Sequence, residues 1–188
     1  MPRPFLIGIS GGSASGKSTL SKMIADKFNK NNVEIINADT YYKRNNMPLM
    51  KSPLTGIEGP DWNTPDAVDF DAMFGDFTER SNDKKLDILI IEGAFIFCYE
   101  KLRDVLDLKI YLDLDSDIRM YRRIKRNMEV RGLSLEEIAD YYTEYAKFSE
   151  QKNTLTSKIY ADIIFNGNNY HGKAFDILIN YLESSIQW

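Results

Sequence analysis

Residues Gly11–Ser18 read Gly-Gly-Ser-Ala-Ser-Gly-Lys-Ser and directly follow the apolar run Phe5-Leu-Ile-Gly-Ile9. This is the full pattern G-x-x-x-x-G-K-[ST], in which a glycine-rich turn points backbone N–H groups at a phosphate. Lys17 would reach the terminal phosphates, and Ser18 would offer its hydroxyl to Mg²⁺. The pattern predicts a nucleoside triphosphate site made of Gly11, Gly12, Ser13, Ala14, Ser15, Gly16, Lys17, Ser18 and Thr19.

The residues after the turn favour this interpretation over an ordinary Gly/Ser-rich turn. Between Thr19 and Phe28, apolar side chains recur at helical spacing, at Leu20, Met23, Ile24 and Phe28. We therefore expect a strand, a loop and a helix in succession, as phosphate binding at a helix N-terminus requires.

Size and composition indicate one domain, 1–188, of an ordinary globular protein. Of its 188 residues, 43% are hydrophobic and 28% are charged. The net charge of −4 argues against nucleic acid as the main partner. The single cysteine, Cys98, suits a reducing compartment. No signal-peptide core and no apolar run of about 20 residues is present, so we expect a cytoplasmic protein with no membrane segment.

Further apolar runs predict more strands. They are Val33–Asn37, Ile88–Glu92, Leu108–Leu112 and, more weakly, Ala161–Phe165. Helical stretches separate most of them, which is typical of an α/β fold with a mostly parallel five-stranded sheet and helices on both faces. Ligands of such sheets bind at the carboxyl ends of the strands. Three acidic residues lie there in the sequence: Asp39, Glu92 and Asp113.

Two segments interrupt this alternation. Residues Met47–Pro65 hold four of the six prolines, and we expect a functional substrate loop at about 43–65. The second segment, Asp115–Lys152, is helical in pattern except at 131–133. Ser134 and Glu137 then form a capping-box signature that restarts the helix. A helical lid at about 119–150 is predicted.

Two carboxylates are candidates for the chemistry. Asp39 could accept a proton from an attacking hydroxyl or hold Mg²⁺ through water, and the alternative is that it caps a turn. Glu92 ends its strand where proteins with this phosphate loop carry the acidic residue that holds Mg²⁺. Its alternative is a solvated strand-end carboxylate.

Four arginines on the predicted lid helix follow one another at three- and four-residue spacing: Arg119, Arg122, Arg123 and Arg126. Like charges so placed repel one another unless an anion offsets them. Arg123 and Arg126, with Arg131 beyond them, could reach the triphosphate and stabilise the charge that develops in phosphoryl transfer. The alternative is pairing with acidic residues of the same helix.

Taken together, the chain resembles uridine kinases, within the uridine kinase and phosphoribulokinase group of P-loop kinases. The resemblance runs through nearly the whole length, in the segments Gly8–Ser18, Asp39–Lys43, Pro65–Asp71, Glu92–Phe97, Leu102–Asp104, Asp113–Arg119, Arg122–Arg126, Arg131–Gly132 and Tyr160–Ile164. It implies a P-loop NTPase three-layer sandwich and the use of ATP and Mg²⁺.

The resemblance also implies roles for single residues. Asp39 looks like the base that takes the proton from the ribose 5′-hydroxyl, and Tyr42 would line the nucleoside site. Arg123 would contact the sugar or phosphate, while Arg126 and Arg131 would belong to the lid over ATP. Metal contacts are expected from Ser18, Asp39 and Glu92.

The acceptor side departs from the family pattern. Asn63 stands where uridine kinases carry the aspartate that binds the ribose hydroxyls, with Asp61 two residues earlier, and both are candidate substrate ligands. The family's pyrimidine-recognising hairpin has no counterpart between Phe70 and Ile88. Leu133 and Tyr141 stand where the family usually has an arginine and a glutamine.

These departures leave the acceptor open. The segment Asp61-Trp-Asn-Thr-Pro65 is more similar to nicotinamide riboside kinases. The acceptor is therefore uridine or cytidine, or alternatively nicotinamide riboside or another small ribosyl or polyol compound. A P-loop ATPase switch without an acceptor is the alternative from another class, although the sequence has neither an N-K-x-D nor an L-S-G-G-Q motif. A monomer and a homo-oligomer both stay open.

Overall fold

A computed structural model describes residues 3–28 and 32–186 of the chain. The predicted domain, 1–188, therefore includes residues 1–2, 29–31 and 187–188, which lie outside the described part. Within that part the strands are β1 (Phe5–Gly11), β2 (Val33–Asn37), β3 (Leu49–Lys51), β4 (Glu58–Pro60), β5 (Ile88–Glu92), β6 (Leu108–Asp113) and β7 (Ile163–Asn166).

The central sheet has five strands in the order β2-β5-β1-β6-β7, and every pairing in it is parallel. The predicted α/β fold with a five-stranded sheet is confirmed. Strand β5 shows why the prediction succeeded, because Ile88, Leu89, Ile90 and Ile91 are each 0% exposed. A strand covered on both faces has no polar side to present, and its sequence is therefore apolar throughout.

The helices are α1 (Lys17–Ala25), α2 (Phe70–Ser81), α3 (Glu100–Arg103), α4 (Ser116–Arg131), α5 (Leu135–Tyr141), α6 (Lys147–Lys152) and α7 (Lys173–Ser185). Helix α1 begins at Lys17, as the phosphate-loop pattern requires, and ends at Ala25, before Phe28 of the predicted stretch. Gly16 precedes it with a φ of 106°, a left-handed conformation that favours glycine, and its carbonyl accepts the N–H groups of Thr19 and Leu20.

Two hydrophobic cores cover the two faces of the sheet. On one face α1 and α7 pack, through Leu20 and Leu182, against alternate residues of the strands such as Ile9. On the other face α2 and α3 pack, through Phe77 and Leu102. Because side chains alternate across a strand, β1, β2, β5 and β6 each supply both cores, whereas β7 supplies only the first. The result is a three-layer sandwich.

The prediction of a loop at Met47–Pro65 is wrong in one respect, because this segment contains an antiparallel hairpin of β3 and β4. Strands of three residues are too short to show a periodic pattern in sequence. The hairpin lies against the lid segment, where the Tyr145 hydroxyl donates to the Ile57 carbonyl at 3.4 Å. A side chain at Gly59 would meet the Tyr145 ring at 2.6 Å, so glycine permits the contact.

The lid segment follows its sequence signals. Helix α4 ends at Arg131, and Gly132 has a φ of 67°. Ser134 and Glu137 form the predicted capping box at the start of α5. A π-helical turn, Tyr142–Ala146, then joins α5 to α6 without a break. None of the helices in the described ranges is both long and apolar enough to cross a membrane.

Cys98 should react slowly with alkylating reagents. The residue is half-buried, and burial raises the pKa of its thiol to about 11. Since the thiolate is the nucleophile and a free thiol has a pKa of about 8.5, alkylation at pH 8 should be roughly 100-fold slower than in unfolded protein, and it should accelerate as the pH rises toward the raised pKa. The measurement is the iodoacetamide rate with and without guanidinium. Equal rates would contradict the expected burial.

Candidate active site

A cavity of about 940 Å³ opens at the carboxyl edge of the sheet, between the glycine-rich loop, the β3–β4 region and the lid helices. The position follows from the parallel topology, which gathers the strand ends at one edge. The predicted site residues that line it are Ser13, Ala14, Gly16, Lys17, Ser18, Thr19, Asp39, Tyr42, Asn63, Glu92, Arg123, Arg126 and Arg131.

The glycine-rich loop holds its lysine inward. Lys17 Nζ donates to the carbonyl oxygens of Gly11 at 3.0 Å and Gly12 at 3.1 Å. Burial lowers the pKa of this ammonium, while the nearby Glu92 and Asp39 carboxylates act in the opposite direction. Phosphate oxygens would offer the ammonium stronger, charged partners than these carbonyls. The loop therefore presents a cation at the base of the cavity.

Ser18 and Glu92 meet beside the lysine. Ser18 Oγ donates to Glu92 Oε1 at 2.6 Å, and Glu92 is 3% exposed. Burial raises the pKa of Glu92, although Lys17 and Ser18 counteract it. Within the described ranges no three His, Cys, Asp or Glu residues cluster as a metal cage. A hydroxyl and one carboxylate suit Mg²⁺, which commonly takes its other ligands from phosphate and water. The Ser18 hydroxyl and the Glu92 carboxylate thus have the chemistry that Mg²⁺ requires.

Asp39 lies on the short 3₁₀ helix Ala38–Tyr41, directly after β2. The alternative that Asp39 caps this turn is wrong, because the side chain of Asn37 accepts the Asp39 N–H at 2.8 Å. The Asp39 carboxylate is exposed and lines the cavity, and no hydrogen bond from the described residues occupies it. It is therefore available to a ligand.

Four lid arginines line the cavity: Arg122, Arg123, Arg126 and Arg131. Arg126 Nη2 donates to the Ser13 hydroxyl at 3.3 Å, which brings α4 to the phosphate loop. The Arg123 guanidinium lies 5.9 Å from the ring centroids of both Tyr141 and Tyr142. Its Nε is buried and has no hydrogen-bond partner among the described residues, and burial lowers its pKa. An anion in the cavity would supply the missing partner.

Arg119 behaves differently from the other lid arginines. It is 5% exposed, does not line the cavity, and donates to Glu150 at 2.5 Å and to the Leu114 carbonyl at 2.9 Å. The suggested pairing with acids of its own helix is wrong here, because the partner comes from α6. A side chain at Gly12 would lie 2.3 Å from Arg119 Nη1 and 2.6 Å from Glu150 Oε1. The ion pair therefore supports the phosphate loop from beneath.

The acceptor side of the cavity brings together an aromatic pair and an amide. The Tyr42 hydroxyl donates to the Trp62 carbonyl at 3.1 Å, and the two rings lie 6.1 Å apart. Burial raises the pKa of Tyr42, and the nearby Asp39 carboxylate adds to the effect. The phenol therefore stays protonated at neutral pH. Asn63 lies next to this pair on the cavity wall.

Asp61 does not lie where its predicted role requires. It is 7% exposed and outside the cavity wall, where it accepts from Ser149 Oγ at 2.6 Å and from the Asn63 N–H at 2.9 Å. Its carboxylate holds the loop instead of facing a substrate. Asp113, the third strand-end acid, also lies outside the cavity and pairs with Lys158 at 2.7 Å.

Two residues of the site, Glu150 and Tyr141, were not predicted from the sequence. Glu150 accepts from the Ser13 N–H at 3.3 Å as well as from Arg119. Tyr141 lines the cavity, and its hydroxyl contacts three groups of the segment 60–63. Neither residue belongs to a local motif. The only signal for Tyr141 was its place where a family glutamine is expected.

The chain is similar in sequence to known kinases of one family. The model of the Phosphoribulokinase / Uridine kinase family matches residues 6–88 and 77–170. A uridine kinase from Clostridium tetani (strain Massachusetts / E88) is 31% identical over 206 residues, which cover 98% of this chain and 97% of the relative. A uridine kinase from Limosilactobacillus reuteri (strain DSM 20016) is 34% identical over 200 residues, or 94% of this chain and 89% of the relative.

Solved structures agree on the fold. The crystal structure of a proposed fructose transport system kinase from Silicibacter sp. TM1040 superposes with a TM-score of 0.64 at 18% identity. The alignment covers 88% of this chain and 91% of that one. The likeness supports the α/β architecture found here.

Proposed function

Since the chain belongs to the phosphoribulokinase/uridine kinase family and is a phosphotransferase acting on a hydroxyl group, we propose that it transfers the γ-phosphoryl group of ATP to the 5′-hydroxyl of a ribonucleoside, uridine or cytidine. One observation carries the proposal. The Asp39 carboxylate, which accepts no hydrogen bond from the described residues, shares a cavity with Lys17 of the phosphate loop and with Asn63 of the acceptor wall.

The donor half of the cavity would bind ATP. Backbone N–H groups of the glycine-rich loop and the Lys17 ammonium would hold the β- and γ-phosphates, in place of the lysine's present carbonyl partners. Ser18, Glu92 and Asp39 would hold Mg²⁺ directly or through water. The ion would neutralise part of the charge on the phosphates when bound.

The acceptor half would place the hydroxyl beside Asp39. Its carboxylate would accept the proton while the hydroxyl oxygen forms a bond to the γ-phosphorus, and the bond to the ADP oxygen would break. Because Asp39 is exposed, it could afterwards release the proton to water. The Tyr42–Trp62 pair would offer an aromatic surface to the base.

The lid arginines would complete the site. Arg123, with its unpartnered Nε, would meet the transferring phosphoryl group, and Arg126 and Arg131 would lie over ATP. We propose residues 119–150 as the lid and 43–65 as the substrate loop. Closure over both ligands would keep water from the γ-phosphate.

A panel of acceptors tests the proposal. ADP formation should be measured with uridine, cytidine, nicotinamide riboside and simple polyols, with the Asp39→Asn variant as the control for acceptor-dependent turnover. We expect strong stimulation by uridine or cytidine alone. Phosphorylation of nicotinamide riboside alone would replace the proposed acceptor, and ATP consumption that ignores every acceptor would favour a P-loop switch.

Replacing Lys17 by alanine should raise the KM for ATP and lower kcat by about 10²-fold or more, because the ammonium that meets the developing phosphate charge is lost. Steady-state kinetics against ATP check both constants. Lys22→Ala is the matched control, since Lys22 is exposed on the same helix. If the two variants have the same kcat and the same KM for ATP, Lys17 does not act in the ATP site.

A further inference from the structure

The phenol of Tyr141 makes three hydrogen bonds to a single short segment. It accepts from the Trp62 N–H at 3.0 Å and from Asn63 Nδ2 at 3.0 Å, and it donates to the Pro60 carbonyl at 3.2 Å. A phenol has one proton to donate, and its oxygen accepts through two lone pairs. The bonding capacity of this hydroxyl is therefore filled.

This arrangement fixes which way the Asn63 amide points. If the amide were reversed, its oxygen would face the phenol oxygen. The phenol could then donate its one proton to the amide oxygen only by giving up its hydrogen bond to the Pro60 carbonyl. The backbone of Asn63 is held as well, since its N–H donates to Asp61 and its carbonyl accepts from Asn153 Nδ2 at 3.1 Å. Asn63 Oδ1 is the atom left over, and no hydrogen bond of the described residues reaches it.

Both Asn63 and Tyr141 line the active-site cavity. We propose that Tyr141 is a positioning residue that holds Asn63 with Oδ1 toward the acceptor, so that the site selects a substrate hydroxyl that donates a hydrogen bond. In this way the amide presents its carbonyl oxygen to the acceptor, as a carboxylate would present an oxygen. The inference rests on the proposed function, which supplies a ribose as the bearer of that hydroxyl.

The ring of Tyr141 makes a contact of its own, and its effect must be distinguished from that of the hydroxyl. It lies 5.9 Å from the Arg123 guanidinium. Tyr141→Phe removes the hydroxyl and keeps the ring, whereas Tyr141→Leu removes both. The first variant should therefore change acceptor binding alone, and the second should also lower kcat.

The experiment compares kcat, KM for the acceptor and KM for ATP in wild type, Tyr141→Phe, Asn63→Ala and the double variant. Each is assayed with uridine, with its 2′- and 3′-deoxy analogues, and with the matching fluoro analogues, which lack the donor hydroxyl. Tyr145→Phe is the matched control, because the Tyr145 ring lies 5.6 Å from that of Tyr141 and the Tyr145 hydroxyl donates to the Ile57 carbonyl of the hairpin.

We expect wild type to bind at least one deoxy and its fluoro analogue roughly 3- to 10-fold more weakly than uridine, the usual effect of one hydrogen bond. Tyr141→Phe should raise the KM for uridine by a similar factor, reduce this discrimination, and leave kcat and the KM for ATP near wild type. In the Asn63→Ala background the same change should have no further effect.

Two results separate failure of the inference from failure of the function. If wild type phosphorylates neither uridine nor cytidine, the proposed function is overturned together with its ribose site. If wild type is active but Tyr141→Phe matches Tyr145→Phe in KM and discrimination, or still raises KM in the Asn63→Ala background, only the positioning role is overturned.

Discussion

Replacing Asp39 by asparagine should lower kcat by about 10²- to 10⁴-fold, the usual contribution of a general base. Asparagine has nearly the same shape but cannot accept the proton of the attacking hydroxyl. The KM for ATP should change little, because the glycine-rich loop, Lys17 and the Ser18–Glu92 pair stay in place. Steady-state kinetics with ATP and uridine, each varied in turn, give kcat, the KM for ATP and the KM for uridine.

Asp66→Asn is the control for this experiment. Asp66 is also exposed, lies on a short 3₁₀ helix on the acceptor side of the chain, and is absent from the cavity wall. The Asp66→Asn variant should leave kcat and the KM values for ATP and uridine near the wild-type values. If Asp39→Asn keeps the wild-type kcat, Asp39 does not take the proton, and the catalytic assignment fails even if a nucleoside is the substrate.

The Glu150→Gln variant should lower the free energy of unfolding by about 3–5 kcal/mol, because it leaves the Arg119 charge buried without its partner. Arg119 and Glu150 have side chains that are 5% and 6% exposed. Such a loss is large against a total stability of about 5–15 kcal/mol. Equilibrium unfolding in urea, followed by circular dichroism, measures it.

Two comparisons make this prediction specific. Glu34→Gln breaks the Arg80–Glu34 pair, whose side chains are each 38% exposed, and should cost about 1 kcal/mol or less. The double variant Arg119→Met, Glu150→Leu should recover much of the lost stability, since no charge is then left buried. If Glu150→Gln costs no more than Glu34→Gln, the buried pair is not a support of the phosphate loop.

The central sheet could be predicted because its signal is local. Uninterrupted apolar runs mark strands buried on both faces, and Gly132 with Ser134 marks the break in the lid. The β3–β4 hairpin could not be predicted. Its strands are three residues long, and contacts from Glu144 to Ser52 and Thr55 help to hold it against the lid.

The position of the glycine-rich loop and of Glu92 on the cavity wall was predictable for the same reason. The glycine-rich loop is one continuous segment, and Glu92 follows from its place at a strand end. Asp61 and Asn63, by contrast, are two residues apart and face different surroundings. Ser149 is 88 positions from Asp61, and Tyr141 is 78 positions from Asn63. No local sequence pattern indicates which side chain will contact a partner so far away in the sequence.

Identification of the product tests the central claim most directly. After incubation of the protein with ATP, Mg²⁺ and uridine, proton-coupled phosphorus NMR shows which hydroxyl carries the new phosphate. A 5′-phosphate couples to the two protons at C5′ and gives a triplet, which is the predicted result, and after the same short incubation the signal should be far weaker with Asp39→Asn. A doublet from a 2′- or 3′-phosphate, or inorganic phosphate as the sole product, would contradict the proposed function.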